Sequence, residues 1–387
     1  MTVLYIIDYG TVGGATKSFL EMVAALKQKG IHPIVCLGSV TDIVEIFDKE
    51  EIEYHYIGHR TVLQPFNFKS FLWPLVLIKL LFAFYKHEFI AKKNLKREID
   101  FSQIDLIHTN SARNDIGCFI NKRYGIPHVM HIREFADADF DCIPLRLNYI
   151  KLFNAYSTKF IAISDAIKKY WNQKGLKKEK IVTIYNGIHF EDITVSQDNE
   201  KKKSFRMIIA GGVCEAKGQH LAIEAIGLLP PEIRKNVYLD VAGWGGTGSY
   251  IKNMTEFATE RGYVDQIQFL GSVNNLHERL GNYQIGLMCS RAEGFGRTTA
   301  EYMHAKLGVI ASDSGANPEL IEDGVTGLLF KSGDAQSLSD CILRLYNDRQ
   351  LVVTLSNNAQ KKARYVYTQQ QNAEAVFSFY NEILNNK

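Results

Sequence analysis

The sequence predicts an α/β protein made of two units, each built on a parallel β-sheet with helices on both faces. Three observations support this prediction. The chain has 387 residues, which is longer than a single hydrophobic core usually grows. Short apolar, β-branched runs alternate with segments whose apolar residues recur at helical spacing. This alternation starts again after a polar, charged stretch at residues 191–204, which is predicted to be a linker.

The first predicted unit, residues 1–190, opens with a strand, a glycine loop and a helix. The apolar run TVLYIID is followed by a glycine-rich segment and then by a helical pattern that stops at Gly30. Gly13 and Gly14 lie where the strand turns into the helix, a position that suits a phosphate-binding loop or an ordinary tight turn. The further strand candidates are HPIVCLG, IDLIHTN, PHVMHI and KFIAIS.

The second predicted unit, residues 205–368, repeats the pattern. Its strand candidates are FRMIIAGG, VYLDVAG, QIQFLG, QIGLMCS and GVIASD. In open α/β sheets, ligands bind beyond the carboxyl ends of the strands, so each unit offers a binding edge and a cleft between the two is the natural site. The final segment, residues 369–387, is predicted to be an amphipathic helix that caps the second unit or crosses back to the first.

Composition and charge exclude several classes of protein. The chain has 45 basic and 42 acidic residues, a balance too even for a general nucleic-acid binder. Its six cysteines are scattered singly, without the spacing of a zinc site. The first residues lack the basic region and cleavage site of a signal peptide, and no apolar run approaches the roughly 18 residues of a membrane span. These features predict a cytoplasmic protein.

Residues 71–86, FLWPLVLIKLLFAFYK, are almost wholly apolar and are followed by a basic run. The basic residues are Lys92, Lys93, Lys96 and Arg97. The apolar segment is too short to span a bilayer. Two interpretations fit it about equally: a helix buried in the core, or peripheral docking of residues 71–97 on anionic lipid at the inner face of the cell membrane.

The segment EGFGRTTAE in the second unit carries two acidic residues around a glycine turn. A predicted strand is followed by a loop with Gly294 and Gly296 and by a helix that begins near Thr298, whose first backbone N–H groups would form a receptor for phosphate. Glu301 fits a capping box with Thr298, and the local sequence by itself favours that role. Glu293 lies in the loop itself, where no helix cap explains it.

A second candidate phosphate contact follows the first strand of this unit. Gly211 and Gly212 end the strand, and Lys217 precedes a helix, so its ammonium group could meet an anion at the same edge of the sheet. A solvated surface lysine is the alternative, and for a lone lysine it is the more frequent one.

Taken in order, these segments resemble the retaining glycosyltransferases of family 4, which have the GT-B fold of two Rossmann-like domains facing each other across a cleft. The resemblance covers nearly the whole chain. The segments that carry it are GGATKSFLEMVAALKQKG, DLIHTNSA, FIAISDAIKKYW, KIVTIYNGI, KGQHLAIEAI, VAGWGG, FLGSV, EGFGRTTAE and GVIASDSGANPELIEDGVTGLLF.

This resemblance implies a hexosyltransferase-type enzyme (EC 2.4) that needs no metal or other cofactor. It would move a sugar, with retention, from a nucleotide-sugar donor, best matched by a UDP-sugar, to a saccharide or lipid-linked acceptor in cell-surface polysaccharide biosynthesis. The first unit would face the acceptor, and the second would bind the nucleotide-sugar.

The resemblance also implies roles for individual residues. Glu301 would hold the ribose hydroxyls, and Glu293 would face the donor sugar, near the amides of residues 294–296. Lys217 and the backbone of residues 297–299 would take the diphosphate, whose charge grows as it leaves. The implied donor-binding residues are Gly14, Gly212, Gly294, Phe295, Gly296, Arg297, Thr298 and Glu301. The implied catalytic residues are Glu293, Lys217 and His131, and no metal ligand is implied.

Two of these residues lie in the first unit. His131, at a strand end, matches the histidine that the family places beside the transferred sugar, although a lone histidine is more often structural. Gly14 matches the loop that meets the diphosphate from the opposite side.

The sequence departs from the family pattern at two positions. Gly212 stands where the family usually has an arginine, five residues before Lys217. We hypothesise that Arg297, where the family more often has an apolar residue, supplies the missing cation. His189 replaces the aspartate that usually follows NGI, which is a minor change at the domain junction.

Three competing interpretations are weaker. Residues 243–248, GWGGTG, satisfy the GxGxxG pattern of an NAD-dependent oxidoreductase, but Asp265 lies before the next strand rather than at its end. Residues 137–141, DADFD, contain two overlapping DxD triplets, which in the other glycosyltransferase fold would suggest a metal bound to the diphosphate. They lie far in sequence from every phosphate element, so a solvated acidic loop or part of the acceptor surface is the favoured interpretation. A non-catalytic sugar- or nucleotide-binding protein of the same fold is the third, and the presence of both glutamates and Lys217 argues against it.

Overall fold

The computed structural model describes residues 1–8, 13–39, 41–66, 68, 71–137, 141–190, 204–246 and 248–385. The chain divides into two compact units, one formed by Met1–Gly187 with Gln369–Lys387 and the other by Ile188–Thr368. Almost all of the predicted linker and the centre of the DADFD segment lie outside the described residues.

The first unit contains a parallel sheet and a small antiparallel pair of strands. The strands are β1 (Thr2–Ile7), β2 (His32–Leu37), β3 (Glu53–Tyr56), β4 (Leu63–Pro65), β5 (Leu106–Thr109), β6 (His128–Ile132), β7 (Cys142–Pro144), β8 (Lys159–Ala162) and β9 (Ile181–Thr183). Over the described ranges, seven strands form the sheet in the order β3-β2-β1-β5-β6-β8-β9, with every neighbouring pair parallel. Strands β4 and β7 pair antiparallel.

Six helices and the C-terminal helix surround this sheet in the described part of the unit. They are α1 (Gly14–Gln28), α2 (Ile43–Lys49), α3 (Trp73–Glu98), α4 (Ile116–Tyr124), α5 (Tyr149–Tyr156), α6 (Asp165–Gln173) and the C-terminal helix (Gln369–Asn385). None of the helices that the structure describes is both long enough and apolar enough to span a bilayer.

The C-terminal helix packs on the first unit. Val376 and Tyr380 are fully buried in the same core as Phe19 and Val23 of α1. Asn372 donates its side-chain amide to the carbonyl oxygen of Tyr185 at 2.7 Å. The amphipathic pattern of the last segment therefore buries its apolar face against a helix more than 340 residues earlier in the sequence.

Helix α3 is not a core helix, so the first interpretation of residues 71–86 is wrong. Its buried residues are Phe84, Glu88, Ala91 and Leu95, most of which follow the apolar segment. Most of the large apolar side chains of that segment are exposed to solvent instead, and Phe71, just before the helix, is 96% exposed. The local sequence forms a helix, but the tertiary packing covers only one narrow face of it.

The second unit is built on a second parallel sheet. Its strands are β10 (Phe205–Ala210), β11 (Val237–Ala242), β12 (Ile267–Gly271), β13 (Ile285–Met288), β14 (Gly308–Ser312) and β15 (Leu328–Phe330). All neighbouring pairs are parallel, in the order β12-β11-β10-β13-β14-β15. The five predicted strands are confirmed, and the short edge strand β15 was missed because it has only three residues.

Eight helices cover this sheet in the described residues of the second unit. They are α7 (Gln219–Leu228), α8 (Pro231–Arg234), α9 (Gly248–Glu260), α10 (Leu276–Leu280), α11 (Arg297–His304), α12 (Asn317–Leu320), α13 (Ala335–Asn347) and α14 (Arg349–Val366). Because helices cover both faces, the central strands are apolar along their whole length, and every residue of β13 and β14 is buried. The predicted α/β class is confirmed.

The strand order of each sheet creates a switch point. In the first unit the chain leaves β1 toward β2 on one side, with β5 on the other, and in the second unit it leaves β10 toward β11, with β13 on the other side. Loops that leave adjacent strands in opposite directions open a crevice at the carboxyl edge of the sheet. Gly14 follows β1, and the predicted site residues of the second unit follow β10 and β13, whereas His131 lies within β6.

Gly218 shows how closely the loops after β10 and β13 approach. Its φ is +72°, and a Cβ atom there would lie 2.3 Å from the carbonyl oxygen of Cys289. We expect Gly218→Ala to lower the free energy of unfolding by about 3 kcal/mol, because the backbone after β13 must shift as well as adopt a strained conformation. Thermal and urea denaturation would measure this loss.

The matched control is Gly262→Ala. Gly262 has a φ of +71°, but nothing lies within 4 Å of an added Cβ. We expect this variant to lose only about 1 kcal/mol, the cost of the backbone conformation itself. Equal losses in the two variants would show that the close approach to Cys289 does not constrain the loop.

Candidate active site

The loops that follow β10 and β13 meet at the carboxyl edge of the second sheet. The backbone N–H of Arg291 donates to the carbonyl oxygen of Ala216 at 3.0 Å and ties the two loops together. The ammonium of Lys217 donates to Oε2 of Glu293 at 2.8 Å. The fold thus joins two predicted catalytic residues that lie 76 positions apart in sequence.

Glu293 lies at the N-terminal end of α11. Its Cγ is 3.5 Å from the position that a Cβ would take on Gly296, the N-cap residue of that helix. Its carbonyl oxygen accepts a hydrogen bond from Ala316 N at 2.8 Å. Gly315, with a φ of +58°, lets the loop after β14 approach this backbone, since a Cβ there would lie 2.4 Å from the Glu293 oxygen. Sequence reasoning missed Gly315, although a glycine directly after a predicted strand was the available signal.

The capping-box interpretation of Glu301 is wrong. Helix α11 begins at Arg297, one residue before the predicted start, and Gly296 caps it without a side-chain hydrogen bond. The carboxylate of Glu301 accepts from Nε of Arg297 at 3.0 Å. Thr298 therefore lies inside the first turn rather than at the cap, and its side chain does not accept the capping bond.

The first turn of α11 presents backbone donors. The first intrahelical bond runs from Ala300 N to Gly296 O at 3.1 Å, so the amides of Thr298 and Thr299 precede the hydrogen-bonded part of the helix. These amides and the positive end of the helix dipole favour a negative charge. The side chain of Glu293 passes close to Gly296, the N-cap of this helix, and its carboxylate bonds to Lys217.

The two departures from the family pattern are visible in the geometry. At Gly212, the nearest atom to an added Cβ would be the carbonyl oxygen of Trp244, 4.0 Å away, so the space of the usual arginine is open. Arg297 lies in the first turn of α11, with its side chain 12% exposed and bonded to Glu301. Arg297 is thus a residue of the first turn, at the end of the helix where a phosphate would bind, with its guanidinium held by Glu301.

Phe295 contributes to the site only through its backbone. Its side chain is 3% exposed and packs edge to face against Tyr367, with 5.6 Å between the ring centroids. This packing anchors the loop from Gly294 to Gly296 through the side chain of its middle residue, which explains why an apolar residue stands in a polar loop.

Gly14 lies at the corresponding loop of the first unit. It is the first residue of α1, with Gly13 as the N-cap, and nothing lies within 4 Å of a Cβ added to it. Among the described residues, none covers the N-terminal end of α1 at Gly14, which lies at the switch point between β1 and β5.

His131 is fully buried in the first unit and is part of a chain of polar groups. Its Nδ1 is 3.2 Å from Nε2 of His108 and 3.4 Å from Nη2 of Arg133. His108 Nδ1 is hydrogen-bonded to the hydroxyl of Tyr380, on the C-terminal helix. Nε2 of His131 is buried and has no hydrogen-bond partner among the described residues.

The directions of these hydrogen bonds follow from Arg133. An arginine can only donate, so Nδ1 of His131 accepts and the proton of this ring is on Nε2. His108 then donates from Nε2, and Tyr380 donates to His108 Nδ1. Burial, and then the guanidinium of Arg133, lowers the pKa of both His131 and His108 well below the usual value, so both rings are neutral. His131 thus presents a neutral N–H donor.

The segments behind the competing interpretations are only partly described. Asp137 of the DADFD segment is bonded to Lys174 and Tyr170, and the centre of the segment lies outside the described residues. Across the described ranges, no group of three or more His, Cys, Asp or Glu side chains is arranged to hold a metal ion. Thr247 of the GxGxxG segment is not described.

The fold places this chain in a known structural class. The Anabaena protein HepE, solved in complex with UDP and glucose, has a TM-score of 0.75 at 23% identity, over 99% of this chain and 100% of that chain. Sucrose-phosphate synthase from Thermosynechococcus elongatus has a TM-score of 0.76 at 16% identity, over the full length of both chains. The protein has the GT-B fold of the glycosyltransferases, as the sequence predicts.

Sequence comparison gives the family. The family described as "Glycosyltransferase Family 4" matches residues 12–192, and "Glycosyl transferases group 1" matches residues 191–362. An uncharacterized glycosyltransferase from Methanocaldococcus jannaschii is 26% identical, over 84% of this chain and 89% of its own length. The Staphylococcus aureus capsular polysaccharide biosynthesis glycosyltransferase CapH is 24% identical, over 82% of this chain and 83% of its own. The chain belongs to the family 4 (group 1) glycosyltransferases, and the predicted enzyme class, EC 2.4, is confirmed.

The Tyr380 hydroxyl is expected to fix the tautomer of His108. We predict a His108 ring protonated at Nε2 in the wild type and mixed His108 tautomers in Tyr380→Phe, because His108 Nδ1 loses its donor and is free to take a proton. His131 should stay protonated at Nε2 in both proteins, since Arg133 still donates to its Nδ1. Long-range ¹H–¹⁵N correlation of the imidazole rings would measure this. The variant should also lose about 1 kcal/mol of unfolding free energy.

Tyr263→Phe is the control for this experiment. The Tyr263 hydroxyl is as buried as that of Tyr380 and donates to the carbonyl oxygen of Ile223 at 3.1 Å, in the second unit. It should cost similar stability and leave the His108 spectrum unchanged. A wild-type His131 protonated at Nδ1 would contradict the assignment.

Proposed function

We propose that the protein transfers a hexose, with retention of anomeric configuration, from a UDP-sugar to a saccharide or lipid-linked acceptor in cell-surface polysaccharide biosynthesis. The observation that carries the proposal is the pair of Lys217 and Glu293 at the N-terminal end of α11, at the switch point of the second sheet. The name of CapH in capsular polysaccharide biosynthesis and the UDP and glucose bound by HepE support the donor and the pathway class.

In this proposal the carboxylate of Glu293 gives up its position to the donor. The diphosphate binds Lys217 and the amides of Thr298 and Thr299, because all three favour a negative charge more strongly as the nucleotide leaves. Glu293 then turns to a hydroxyl of the donor sugar.

Arg297 and Glu301 act together in the same proposal. The ribose hydroxyls donate to the carboxylate of Glu301, and the guanidinium of Arg297 is released toward the diphosphate, into the region left open at Gly212. The site thereby regains the cation that the family usually supplies from position 212. These cations and amides are sufficient to neutralise the leaving group, so we propose a reaction without a metal ion or other cofactor.

His131 provides a neutral donor to the transferred sugar from its unpaired Nε2–H. Because it is neutral and already protonated at this atom, it binds a hydroxyl oxygen and does not remove a proton. We assign no protein base: the leaving phosphate accepts the proton of the acceptor hydroxyl on the same face of the sugar, which retains the anomeric configuration.

The donor site can be tested by variants of its cations. We expect Lys217→Ala to lower the affinity for UDP about tenfold and kcat by roughly 10²-fold, because it removes the cation that binds the negative charge of the leaving diphosphate. Arg297→Ala should weaken UDP binding by a smaller factor. Thermal shift with UDP and other nucleotides, followed by transfer assays with a panel of nucleotide-sugars, would measure these effects.

Lys252→Ala is the matched control, since Lys252 is an exposed lysine of α9 that pairs only with Glu256 within the described residues. The proposal fails if no nucleotide raises the melting temperature of the wild type. An unchanged UDP affinity in Arg297→Ala would refute the compensating role of that residue alone.

We also propose that the protein works at the cytoplasmic face of the membrane and contacts it through residues 71–97. An exposed apolar stripe runs along α3 at the spacing of one helix face. It consists of Leu75, Ile78, Phe82, Tyr85 and Phe89, which are 64, 63, 73, 49 and 72% exposed. Leaving five large apolar side chains in water on one face is unfavourable, and such a patch marks a docking surface.

The charge of α3 indicates an anionic lipid surface as the partner. Lys93 and Lys96 continue the stripe at the same spacing, and α3 has six basic but only two acidic residues. Of the acidic residues, Glu88 lies on the buried face, where it bonds to Lys92 and Arg146. A second copy packed parallel along the same stripe would bring these lysines close to each other, which disfavours that form of self-association.

Vesicle co-sedimentation tests this contact. We expect the protein to sediment with vesicles of phosphatidylcholine and phosphatidylglycerol at low salt, and not with phosphatidylcholine alone. Phe82→Ser combined with Phe89→Ser should reduce binding at least tenfold, because the buried apolar area is lost. Tyr365→Ser, which removes an aromatic ring that is 78% exposed in the second unit, is the control.

High salt should release the wild-type protein, since the lysine contribution is screened. The proposal is wrong if the Phe82/Phe89 variant and the Tyr365 control bind the anionic vesicles equally. It is also wrong if the stripe is buried in a dimer in solution, which analytical ultracentrifugation of the wild type and the double variant would reveal.

A further inference from the structure

A cavity of about 430 Å³ lies in the first unit, at the carboxyl edge of β1, β2 and β3. Asp8 follows β1, Ser39 follows β2 and His59 follows β3, so the cavity occupies the edge where α/β sheets bind ligands. Its volume is in the range of small-molecule sites. None of the residues assigned above to the donor lines it.

A buried pair forms the floor of this cavity. Nε2 of His59 is 2.8 Å from Oδ1 of Asp8, and the side chains are 1% and 7% exposed. The amide of Asn114 donates to the same oxygen. Because a carboxylate accepts, the proton of the His59 ring is on Nε2.

Two acceptor atoms of this pair are left without partners. Oδ2 of Asp8 and Nδ1 of His59 are buried, and neither has a hydrogen-bond partner in the described part of the chain. An unsatisfied buried polar atom is costly and points to a missing ligand or water. Since both atoms accept, the group that satisfies them must donate, as a hydroxyl does.

Two arginines, Arg60 and Arg113, line the cavity and carry positive charge. The carboxylate in the lining is that of Asp8, which is already bonded to His59 and Asn114. Arg60 is exposed and forms no hydrogen bond or ion pair with the described residues. An arginine fork in this position matches a carboxylate or phosphate group.

Helix α3 borders the same cavity. His87 of α3 lines it and is bonded through Nδ1 to the carbonyl oxygen of Gly58 at 2.9 Å. The apolar stripe of α3 lies on another face of the helix, with its members offset from His87 by positions that turn away from it. The cavity and the apolar stripe thus lie on roughly opposite faces of one helix.

We propose that this cavity binds an anionic saccharide, whose hydroxyls donate to Asp8 and His59 and whose acidic group binds Arg60 and Arg113. The inference rests on the proposed function, because it names the chemical class of the acceptor: a saccharide that carries a carboxylate or a phosphate.

Binding of three small glycosides to the full chain tests this. The probes are methyl β-D-glucuronide, glucose 1-phosphate and the neutral methyl β-D-glucoside, measured by saturation-transfer NMR and titration calorimetry. We expect at least one acidic probe to bind about tenfold more tightly than the glucoside. The two acidic probes distinguish a carboxylate from a phosphate as the preferred group.

Variants locate the binding site. Arg60→Gln should lower the affinity for the acidic probe about fivefold or more and leave that for the glucoside unchanged. Arg123→Gln removes another exposed arginine of the first unit, away from this cavity, and should change neither. Because Arg60 is exposed, its variant is expected to fold normally.

Two results would overturn the inference: equal affinities of the neutral and acidic probes, or an acidic probe whose affinity is the same in Arg60→Gln and Arg123→Gln. UDP thermal shifts on the same variants separate this failure from that of the proposed function. If the acidic saccharide binds but no nucleotide changes the melting temperature, the cavity assignment is supported and the donor site is refuted. If UDP binds but the acidic saccharide does not, only the proposed class of acceptor is refuted.

Discussion

The candidate active site of the second unit depends on one ion pair, between Lys217 and Glu293. It joins two loops that leave adjacent parallel strands, and it places a cation and a carboxylate at the N-terminal end of a helix that favours negative charge. The pair can form only because Gly218 and Gly315 allow backbones to approach within distances that any side chain would prevent. The glycines therefore serve the geometry of the site as much as the stability of the turns.

In the first unit, the polar ring of His131 is held inside an apolar sheet. His131 is fully buried, so the charged form is disfavoured, and the adjacent Arg133 disfavours it further. The Arg133 guanidinium donates to Nδ1 and so places the proton of the His131 ring on Nε2, and the Tyr380 hydroxyl does the same for His108. The C-terminal helix thus does more than cover the sheet: it supplies the donor that determines which atom of His108 carries a proton.

Helix α3 has a combination of features found neither in a typical core helix nor in a typical surface helix. Its apolar stripe is exposed, its basic residues continue that stripe, and its inner face contributes His87 to a polar cavity. A soluble protein gains nothing from such exposure, because apolar area in water costs stability. The helix thus carries an exposed apolar stripe and part of a polar cavity on roughly opposite faces, and the role proposed for each can be tested separately.

The sequence by itself determined the α/β class, the repeated strand and helix order, the family and the identity of most of the loop residues, because hydrophobic period and glycine position are local properties. It did not determine the partner of Glu301, since Thr298 lies three residues and Arg297 four residues before it, and where the helix begins decides between a capping box and a side-chain pair. It also left open whether residues 71–86 are buried, and it gave no signal for the His131–His108–Tyr380 chain or the Asp8–His59 cavity. These features unite residues that are distant in sequence, and only the packing of the sheet edges and helices decides which side chains are covered and which atoms meet.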